Sequence, residues 1–506
     1  MDPDTLLLLA DEIKEEENWL RSLGLKLPAG GLLLQQPFAW PIVRRSFIVP
    51  SHWHWQTPPD TLPPDDLARD LAFLRIAAEK AYYGWEKAAN GGWDWEDFFA
   101  RWHHDLTSAR RSEIPSHQAF APWYKLLAYQ PDNHSGPRLS TPYRDFARTV
   151  YFPEEPAGGV RMWRNTEGAT GQVDSSDPAQ RVWKALLPDF HDGRLRPVWG
   201  MSHPARYGDW ESVKAGETWF PVRKVKGFEA ERSASVIALL EAQNDQLGYR
   251  RLSPSVGYLR IPTLSYALSQ QATEHQDWLA DEDLKVENLV VDLRGNSGGA
   301  AGVVFALLDR LKGWRMQEGG ISFSLVWKES CVADALLWGH AQTHLQSVKG
   351  QLPPRLRETA QAILYRVLLP SDLSCTVTYR EHRSNFNYGQ HEFPSDPRNG
   401  EPRLVILTDG DCGSDGELLV FALALIPGSV VVGTCTAGVG EFARPGYFVL
   451  PSTRVGFRLA AARSDIRGDG GSFDGYGLKM DILTPQESPL GVDALLRLIK
   501  LIPNSQ

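Results

Sequence analysis

Several features that mark common protein classes are missing from this sequence. Its 4 cysteines include no Cys-x-x-Cys pair, so neither a zinc knuckle nor a disulfide framework is indicated. No cluster of lysines and arginines occurs, and 53 basic against 62 acidic residues leave a net charge of −9. This balance disfavours nucleic acid as a partner. No segment reaches the roughly 18 consecutive apolar residues of a membrane span, so none is predicted.

The N-terminal stretch MDPDTLLLLADEIKEEENWL also lacks the pattern of a secretory signal. Its short apolar run is flanked by aspartate and glutamate, whereas a signal peptide begins with basic residues and continues with a longer apolar stretch. We therefore expect a soluble, cytoplasmic protein. His52 and His54 stand two positions apart without a carboxylate or cysteine at a convincing ligand spacing, so we expect no metal and no other cofactor.

Length and composition are those of a globular protein with several domains. With 506 residues, 42% of them hydrophobic and 23% charged, the chain should form roughly three domains. Residues 1–64 are rich in proline and predict an extended arm. Residues 65–127 carry apolar side chains at helical spacing, and residues 140–250 alternate short β-like pieces with glycine, proline and aspartate clusters.

From residue 256 onward, predicted strands and helices alternate. VENLVVDLR and RLVILTD are nearly continuous apolar runs, which are typical of strands buried on both faces. Each runs into a glycine-rich turn and then into an apolar stretch of helical length. Such alternation predicts an α/β fold with a largely parallel, helix-covered sheet, in which ligands bind at the carboxyl ends of the strands.

Ser414 lies in the second of these turns, directly before an apolar helical run. The simplest role for it is helix capping, because serine is a preferred N-cap residue. The alternative role is that of a nucleophile, because a helix N-terminus offers backbone N–H groups and a positive dipole where an oxyanion would form. The turn alone does not decide between them.

The first turn, RGNSGG at residues 294–299, would suit an oxyanion pocket. It lacks the Lys-Ser/Thr of a phosphate-binding loop and the spacing of a dinucleotide fingerprint. Its glycines allow the backbone to approach a ligand closely with N–H groups pointing outward. We predict one oxyanion donor from Gly298 or Gly299 and another from Asp415, which follows the serine.

These motifs occur in an order that resembles a known family. VVDLRGNSGG, followed later by a strand and GSDGELL, resembles the serine peptidases that include the C-terminal processing (tail-specific) proteases and the tricorn core protease. GWDWEDFF, LLAYQPDNHSG and GYLRIP upstream, and VVVGTCTAGVGEF and DGYGLKMDI downstream, extend the resemblance to roughly residues 65–150 and 255–485. The resemblance implies a crotonase- and Clp-like ββα catalytic core.

The resemblance offers two catalytic versions. Processing proteases carry a catalytic lysine in the loop after the next strand, but Val439 stands at that position here. The tricorn version uses a histidine from the helical segment and a glutamate from a C-terminal turn, which His134 and Asp474 match. The set is chemically coherent: Ser414 attacks, His134 takes and returns the proton, and Asp474 orients the ring and stabilises its charged form.

The link between His134 and its carboxylate has several candidates. The tricorn pattern has a serine directly before the histidine, whereas here Asn133 precedes it and Ser135 follows it. Asn133 and Ser135 are possible relay residues, and Asp132 is a further alternative. His203, which follows a serine, is a rival base, although it lacks the upstream helical context.

The resemblance implies a serine-type peptidase that cleaves peptides or proteins through an acyl-enzyme, with a homo-oligomer as one possible state. Two alternatives remain: an acyltransferase or cyclase of the same fold in peptide natural-product biosynthesis, and a non-catalytic ligand-binding protein. The predicted organisation is an N-terminal arm (1–64), a helical segment with the catalytic histidine (65–150), a small β-rich or divergent PDZ-like domain (151–250), an α/β catalytic core (251–490) with an insertion at about 315–400, and a C-terminal tail (491–506).

Overall fold

The computed structural model describes residues 17–27, 59–224, 247–264, 283–299, 323–384, 402–465, 474–484 and 492–502, with shorter gaps inside several of these ranges. Most of the predicted N-terminal arm and much of the predicted insertion lie outside the described residues. The stretch SASVIALLEAQNDQL, residues 233–247, which the sequence predicts as a helix, also lies outside them except for its last residue. The chain divides into two compact units. Unit 1 comprises residues 1–144, 324–383 and 442–464, and unit 2 comprises residues 145–323, 384–441 and 465–506.

The helices and strands of the described residues are numbered here in chain order. The helices are α1 (Pro64–Ala81), α2 (Gly84–Asn90), α3 (Trp95–Ser108), α4 (Ser116–Ala119), α5 (Ala121–Tyr129), α6 (Asp415–Ala424) and α7 (Val492–Leu501). The strands are β1 (Thr61–Leu62), β2 (Ile114–Pro115), β3 (Gly136–Pro137), β4 (Ala147–Phe152), β5 (Val160–Asn165), β6 (Thr170–Gln172), β7 (Trp183–Asp189), β8 (Arg194–Pro204), β9 (Trp210–Ala215), β10 (Thr218–Pro221), β11 (Arg223–Lys224), β12 (Gly248–Ser253), β13 (Val256–Arg260), β14 (Asn288–Asp292), β15 (Phe323–Glu329), β16 (Thr378–Ser384), β17 (Arg403–Thr408), β18 (Val430–Gly433), β19 (Phe442–Val449), β20 (Gly456–Asp465) and β21 (Ile482–Leu483).

Unit 1 contains the helical segment predicted for residues 65–127. Helix α1 begins with Pro64 at its first position and Asp65 and Asp66 in its first turn, which suit the free N–H groups and positive dipole of a helix start. Helix α3 buries one aromatic face, on which Phe98 and Trp102 pack with ring centroids 5.6 Å apart. The helices accompany a sheet in the order β16-β15-β20-β19, with β3 paired to β20. The helical prediction is therefore confirmed.

A buried carboxylate connects α1 to the turn between β19 and β20. The Asp70 side chain accepts hydrogen bonds from the backbone N–H groups of Ser452 (2.7 Å) and Thr453 (2.8 Å) and from the Thr453 hydroxyl (2.7 Å). Asp70 is 1% exposed. Its removal would leave these donors without their acceptor inside the protein.

We expect Asp70→Ala to lower the free energy of unfolding by roughly 3 kcal/mol, because hydrogen bonds to a charged group contribute more than neutral ones and buried unpaired donors carry a desolvation penalty. Urea denaturation followed by circular dichroism measures the change. Asp65→Ala is the matched control, since Asp65 is an exposed aspartate of the same helix and its loss should cost less than about 1 kcal/mol. Equal effects of the two substitutions would contradict the prediction.

Unit 2 is built on one ten-stranded sheet with the order β11-β4-β8-β7-β21-β18-β17-β14-β13-β12. The six strands from β7 to β13 in this order run parallel to one another. The strands outside them pair antiparallel. The prediction of an α/β fold with a largely parallel centre is confirmed, whereas the crotonase-like assignment stays a prediction.

The two faces of this sheet have separate apolar cores. Leu289 and Val291 of β14 pack in the core that includes the apolar residues of α6. Val290, between them, points to the opposite face, where it packs with residues of α7. Because successive strand residues alternate between faces, a strand covered on both sides must be apolar throughout. This explains the continuous apolar runs in the sequence.

The segment predicted as a separate small domain, residues 151–250, divides its strands between this sheet and a second one. Strands β4, β7, β8 and β11 extend the sheet of the α/β core, and β7 is joined to it by the hydrogen bond from Leu186 N to Asp481 O (2.8 Å). Strands β10, β9, β5 and β6 form a four-stranded sheet of their own. Only this second sheet could correspond to a small β-rich domain, and a PDZ-like fold stays a prediction.

Within the described ranges, no helix combines the length and apolar character that crossing a membrane would require.

Candidate active site

The two glycine-rich turns follow neighbouring parallel strands of unit 2. Strand β14 leads into residues 294–299 and β17 leads into the turn before α6, and Asp292 at the end of β14 pairs in register with Leu407 of β17. The carboxyl ends of parallel strands lie at the same edge of a sheet. The two turns are therefore brought together by the sheet itself.

Ser414 adopts a backbone conformation that is rare for a residue with a side chain. Its φ is 54° and its ψ is −127°, and Arg454 is the only other non-glycine residue with positive φ in the described part of the chain. Ser414 occupies the N-cap position of α6, yet its side chain makes no capping hydrogen bond. Capping therefore does not explain this serine. Such strain is typical of functional turns that present a side chain at the end of a strand.

The turn 294–299 packs directly on the serine. A Cβ atom at Gly298 would lie 2.7 Å from Gly413 O, 2.7 Å from Ser414 Cβ and 2.9 Å from Asp415 N. Gly298 also has a φ of 92°. Only glycine fits there without a shift of the backbone. Of the predicted oxyanion residues, Gly298 and Asp415 thus lie against Ser414.

The hydrogen bonds of this turn distinguish between the two glycines predicted as oxyanion donors. The Gly298 amide donates to Asn296 Oδ1 at 2.9 Å, so it is already engaged. Gly299 is exposed and has a φ of 139°. These contacts favour Gly299 over Gly298 as the partner of Asp415, because an amide that is committed to a side chain cannot also face an oxyanion well.

Two buried polar residues that the sequence analysis did not single out fix these turns. Asn296 donates from Nδ2 to Ile261 O (2.9 Å) and accepts the Gly413 amide on its backbone oxygen (2.9 Å). Asp409, at the end of β17, accepts the Gly295 amide at 2.8 Å, and burial raises its pKa to about 6. An Asn or Asp at a strand end beside glycines is a turn signal that could have identified both.

Glu417 lies in the first turn of α6 and is fully buried. Its Oε1 accepts the Thr436 hydroxyl, at a short distance, and the Gly438 amide at 3.0 Å, while Oε2 accepts the Val439 amide at 2.7 Å. Glu417 holds the loop that contains Val439, the position where processing proteases carry their lysine.

Asp474 lies next to the same loop. It is buried, and its Oδ1 accepts the Glu441 amide at 2.7 Å. The following amide, Gly475 N, donates to Gly438 O at 2.8 Å. The turn with the predicted orienting carboxylate is thereby fixed to the loop that Glu417 also holds.

His134 belongs to unit 1, where a buried turn fixes its backbone. Asp132 Oδ1 accepts the His134 amide at 2.7 Å. The ring is half-buried, and its Nδ1 has no hydrogen-bond partner among the described residues. Burial, assisted by the positive charge of Arg458, lowers the pKa of His134 to about 3. The imidazole is therefore neutral at pH 7 and can accept a proton.

The other relay candidates and the rival base have different positions. Asn133 lies outside the described residues. Ser135 is buried, and its Oγ accepts the Ala460 amide of β20 at 2.8 Å, so it anchors the turn. Burial raises the pKa of Asp132. His203 is 1% exposed and stacks on Trp210 with ring centroids 4.2 Å apart. These contacts indicate a core histidine and do not support His203 as a base.

No set of three or more histidine, cysteine, aspartate or glutamate side chains that could hold a metal ion is found among the described residues. The two described cysteines, Cys412 and Cys435, are free and buried. Burial raises the pKa of both thiols, which makes neither of them a nucleophile at neutral pH.

Solved structures similar to this chain include mature CPAF in complex with lactacystin, with 16% identity, a TM-score of 0.41, and coverage of 87% of this chain and 98% of that one. The photosystem II D1 C-terminal processing protease has 14% identity and a TM-score of 0.32, covering 85% and 96% of the two chains. The tricorn protease has 12% identity and a TM-score of 0.37, and the similarity covers 86% of this chain and 37% of that one. Two of these three are proteases of the kinds that the motifs resemble. No protein-family model matches the sequence, and no curated protein matches it either.

Proposed function

We propose that the protein is a serine hydrolase, and specifically a peptidase of the tail-specific and tricorn type that acts through an acyl-enzyme. The observation that carries the proposal is the conformation of Ser414. It is a non-glycine residue at positive φ, at the end of a parallel strand and the start of a helix, without a capping bond and with a glycine turn packed on it. A serine that only capped the helix would make the capping hydrogen bond, and it would need neither the positive φ nor the packed glycine turn.

The proposed reaction assigns each step to a named group. Ser414 Oγ attacks the carbonyl carbon while His134 takes its proton, and the amides of Gly299 and Asp415 stabilise the oxyanion. When the tetrahedral intermediate collapses, His134 returns the proton to the leaving amine, and water then repeats the sequence on the acyl-enzyme. Burial makes a charged imidazole costly, so a compensating carboxylate is required, and Asp474 is proposed for that role.

A fluorophosphonate probe tests the proposal without a known substrate. We expect covalent labelling of the purified protein at Ser414, located by peptide mass spectrometry. His134→Ala should slow the labelling by about 100- to 10,000-fold, because the serine loses its general base. His103→Ala is the matched control, since His103 is an exposed histidine of unit 1 and its loss should leave the rate unchanged.

The outcomes separate the candidate functions. Labelled Ser414 together with release of products from a peptide library supports the peptidase. Labelling with product formation only when an amine acceptor is added would favour the acyltransferase or cyclase, because both reactions share the acyl-enzyme and differ in the exclusion of water. A folded protein that the probe leaves unlabelled would contradict the proposal and favour the ligand-binding alternative.

A further inference from the structure

Glu417 connects two pieces of backbone around the candidate nucleophile. It is the third residue of α6, and its carboxylate interacts with the backbone amide of Ser414 at the helix start. The same carboxylate accepts three donors from the loop that follows β18: the Thr436 hydroxyl and the amides of Gly438 and Val439. A glutamate three residues after the N-cap often reaches back to the N-cap amide, but here it also holds a second segment.

We propose that Glu417 is a positioning residue: its carboxylate holds the Ser414 turn against the loop Thr436–Val439, and protonation of this carboxylate loosens the connection and lowers the reactivity of Ser414. This inference rests on the proposed function for its effect on reactivity, while the connection itself rests on the contacts alone.

The surroundings of Glu417 match a carboxylate and not a carboxylic acid. Three of its four partners are backbone amides, which only donate. Thr436 Oγ1 also accepts the Leu478 amide at 2.7 Å, which directs its own proton to Glu417. A protonated carboxyl would add a fifth donor to a site that already has four, so at least one of the hydrogen bonds must break.

Burial opposes the preference of this site for the charged form of Glu417. Desolvation raises the pKa of Glu417, the hydrogen bonds from Thr436, Val439, Gly438 and Ser414 lower it, and the result is a pKa of about 7. Both forms of the side chain are therefore present near neutral pH.

Other titratable groups of the described residues lie on the segments around Glu417. The thiols of Cys412 and Cys435 interact with it electrostatically, but burial raises the pKa of each, and both stay neutral. Asp409, with its pKa of about 6, interacts with Cys412 from the preceding turn. Asp474 and Glu441 are the acidic residues on the segments joined to the loop. Burial keeps the pKa of His134 near 3, so an acid limb near pH 7 would not originate from the base.

The charge state of Glu417 affects stability and reactivity in opposite directions. Its pKa in the folded state lies above the unfolded value, so the folded protein binds more protons between about pH 4.5 and 7. The contribution of Glu417 to the free energy of unfolding is therefore complete at the acid end of this window, and it is lost as the pH rises through the window. The reactivity of Ser414 rises over the same window, because the carboxylate forms.

The experiment compares Glu417→Gln and Glu417→Asp with wild type and with Glu217→Gln as the matched control, since the Glu217 side chain is 96% exposed. The second-order rate constant for fluorophosphonate labelling of Ser414 and the urea midpoint of unfolding are both measured from pH 5 to 9. We expect the wild-type rate to rise at least about tenfold with a midpoint near pH 7, since small displacements of a nucleophile cost this much or more.

Glu417→Gln should label slowly and without this midpoint, and its stability should fall less than that of the wild type between pH 5 and 7, because the contribution of Glu417 is removed while that of Asp409 remains. Glu417→Asp should retain a titration at a reduced rate, and it supplies the test if the glutamine variant does not fold. A glutamine variant with the wild-type labelling profile, or an aspartate variant with the wild-type rate and midpoint, would overturn the inference. If wild type is not labelled at any pH, the proposed function fails, and the unfolding data alone decide whether the Glu417 connection titrates.

Discussion

Ser414→Ala is expected to lose all labelling by a fluorophosphonate and to keep the stability of the wild type within about 0.5 kcal/mol. The stability should persist because the Ser414 side chain makes no capping hydrogen bond to α6. If the Ser414 hydroxyl made a capping hydrogen bond, its loss would cost roughly 1 kcal/mol. Ser414→Gly should be more stable than wild type by about 1 kcal/mol, because glycine adopts a φ of 54° without strain.

Urea unfolding of the two variants measures these differences, and mass spectrometry measures the labelling. The two variants separate chemistry from folding. Both remove the nucleophile, but only Ser414→Gly also removes the backbone strain. A loss of stability in both variants would show that the hydroxyl supports the fold, and it would weaken the assignment of Ser414 as a nucleophile.

Gly298→Ala should have the next largest effect. The added Cβ would lie 2.7 Å from Gly413 O, a backbone atom that cannot move aside, and alanine is strained at a φ of 92°. We expect the free energy of unfolding to fall by more than about 3 kcal/mol. Labelling of Ser414 should slow by about 100-fold or more, because the turn beside the nucleophile must shift.

Gly168→Ala is the matched control for this substitution. Gly168 is also in unit 2 and has a φ of 83°, but a Cβ there would meet nothing within 4 Å. It should cost only the roughly 1–2 kcal/mol of backbone strain and leave labelling unchanged. The difference between the two alanine variants isolates the contact with the Ser414 turn. Equal effects on stability and labelling would mean that this contact has no functional consequence.

The parts of the fold that the sequence predicts are those with a local signal. Continuous apolar runs in the sequence predict strands β14 and β17, and the glycines and aspartates after them predict the turns. Parallel neighbours place both turns at one edge, so the juxtaposition of Gly298 and Ser414 follows from the βαβ pattern. The helical spacing of apolar residues likewise predicts the helices of unit 1.

Other features depend on partners distant in sequence. The short β-like pieces of residues 151–250 predict strands correctly, but nothing local indicates that β7 joins β21, whose residues lie far along the chain. The site shows the same limit. The spacing of RGNSGG predicts an oxyanion turn, yet the preference for Gly299 over Gly298 depends on the Asn296 side chain, which only the folded turn positions. The contacts of Glu417 with Thr436–Val439 have no local signal either.

The pairing of β7 with β21 limits how the chain can be divided. A domain that folds by itself can be excised as a module. Removal of residues 151–250 would instead leave β21 as the exposed edge of the remaining parallel sheet, a surface prone to pairing with other chains. The segment and the parallel strands beside it are therefore parts of one sheet and cannot be excised separately.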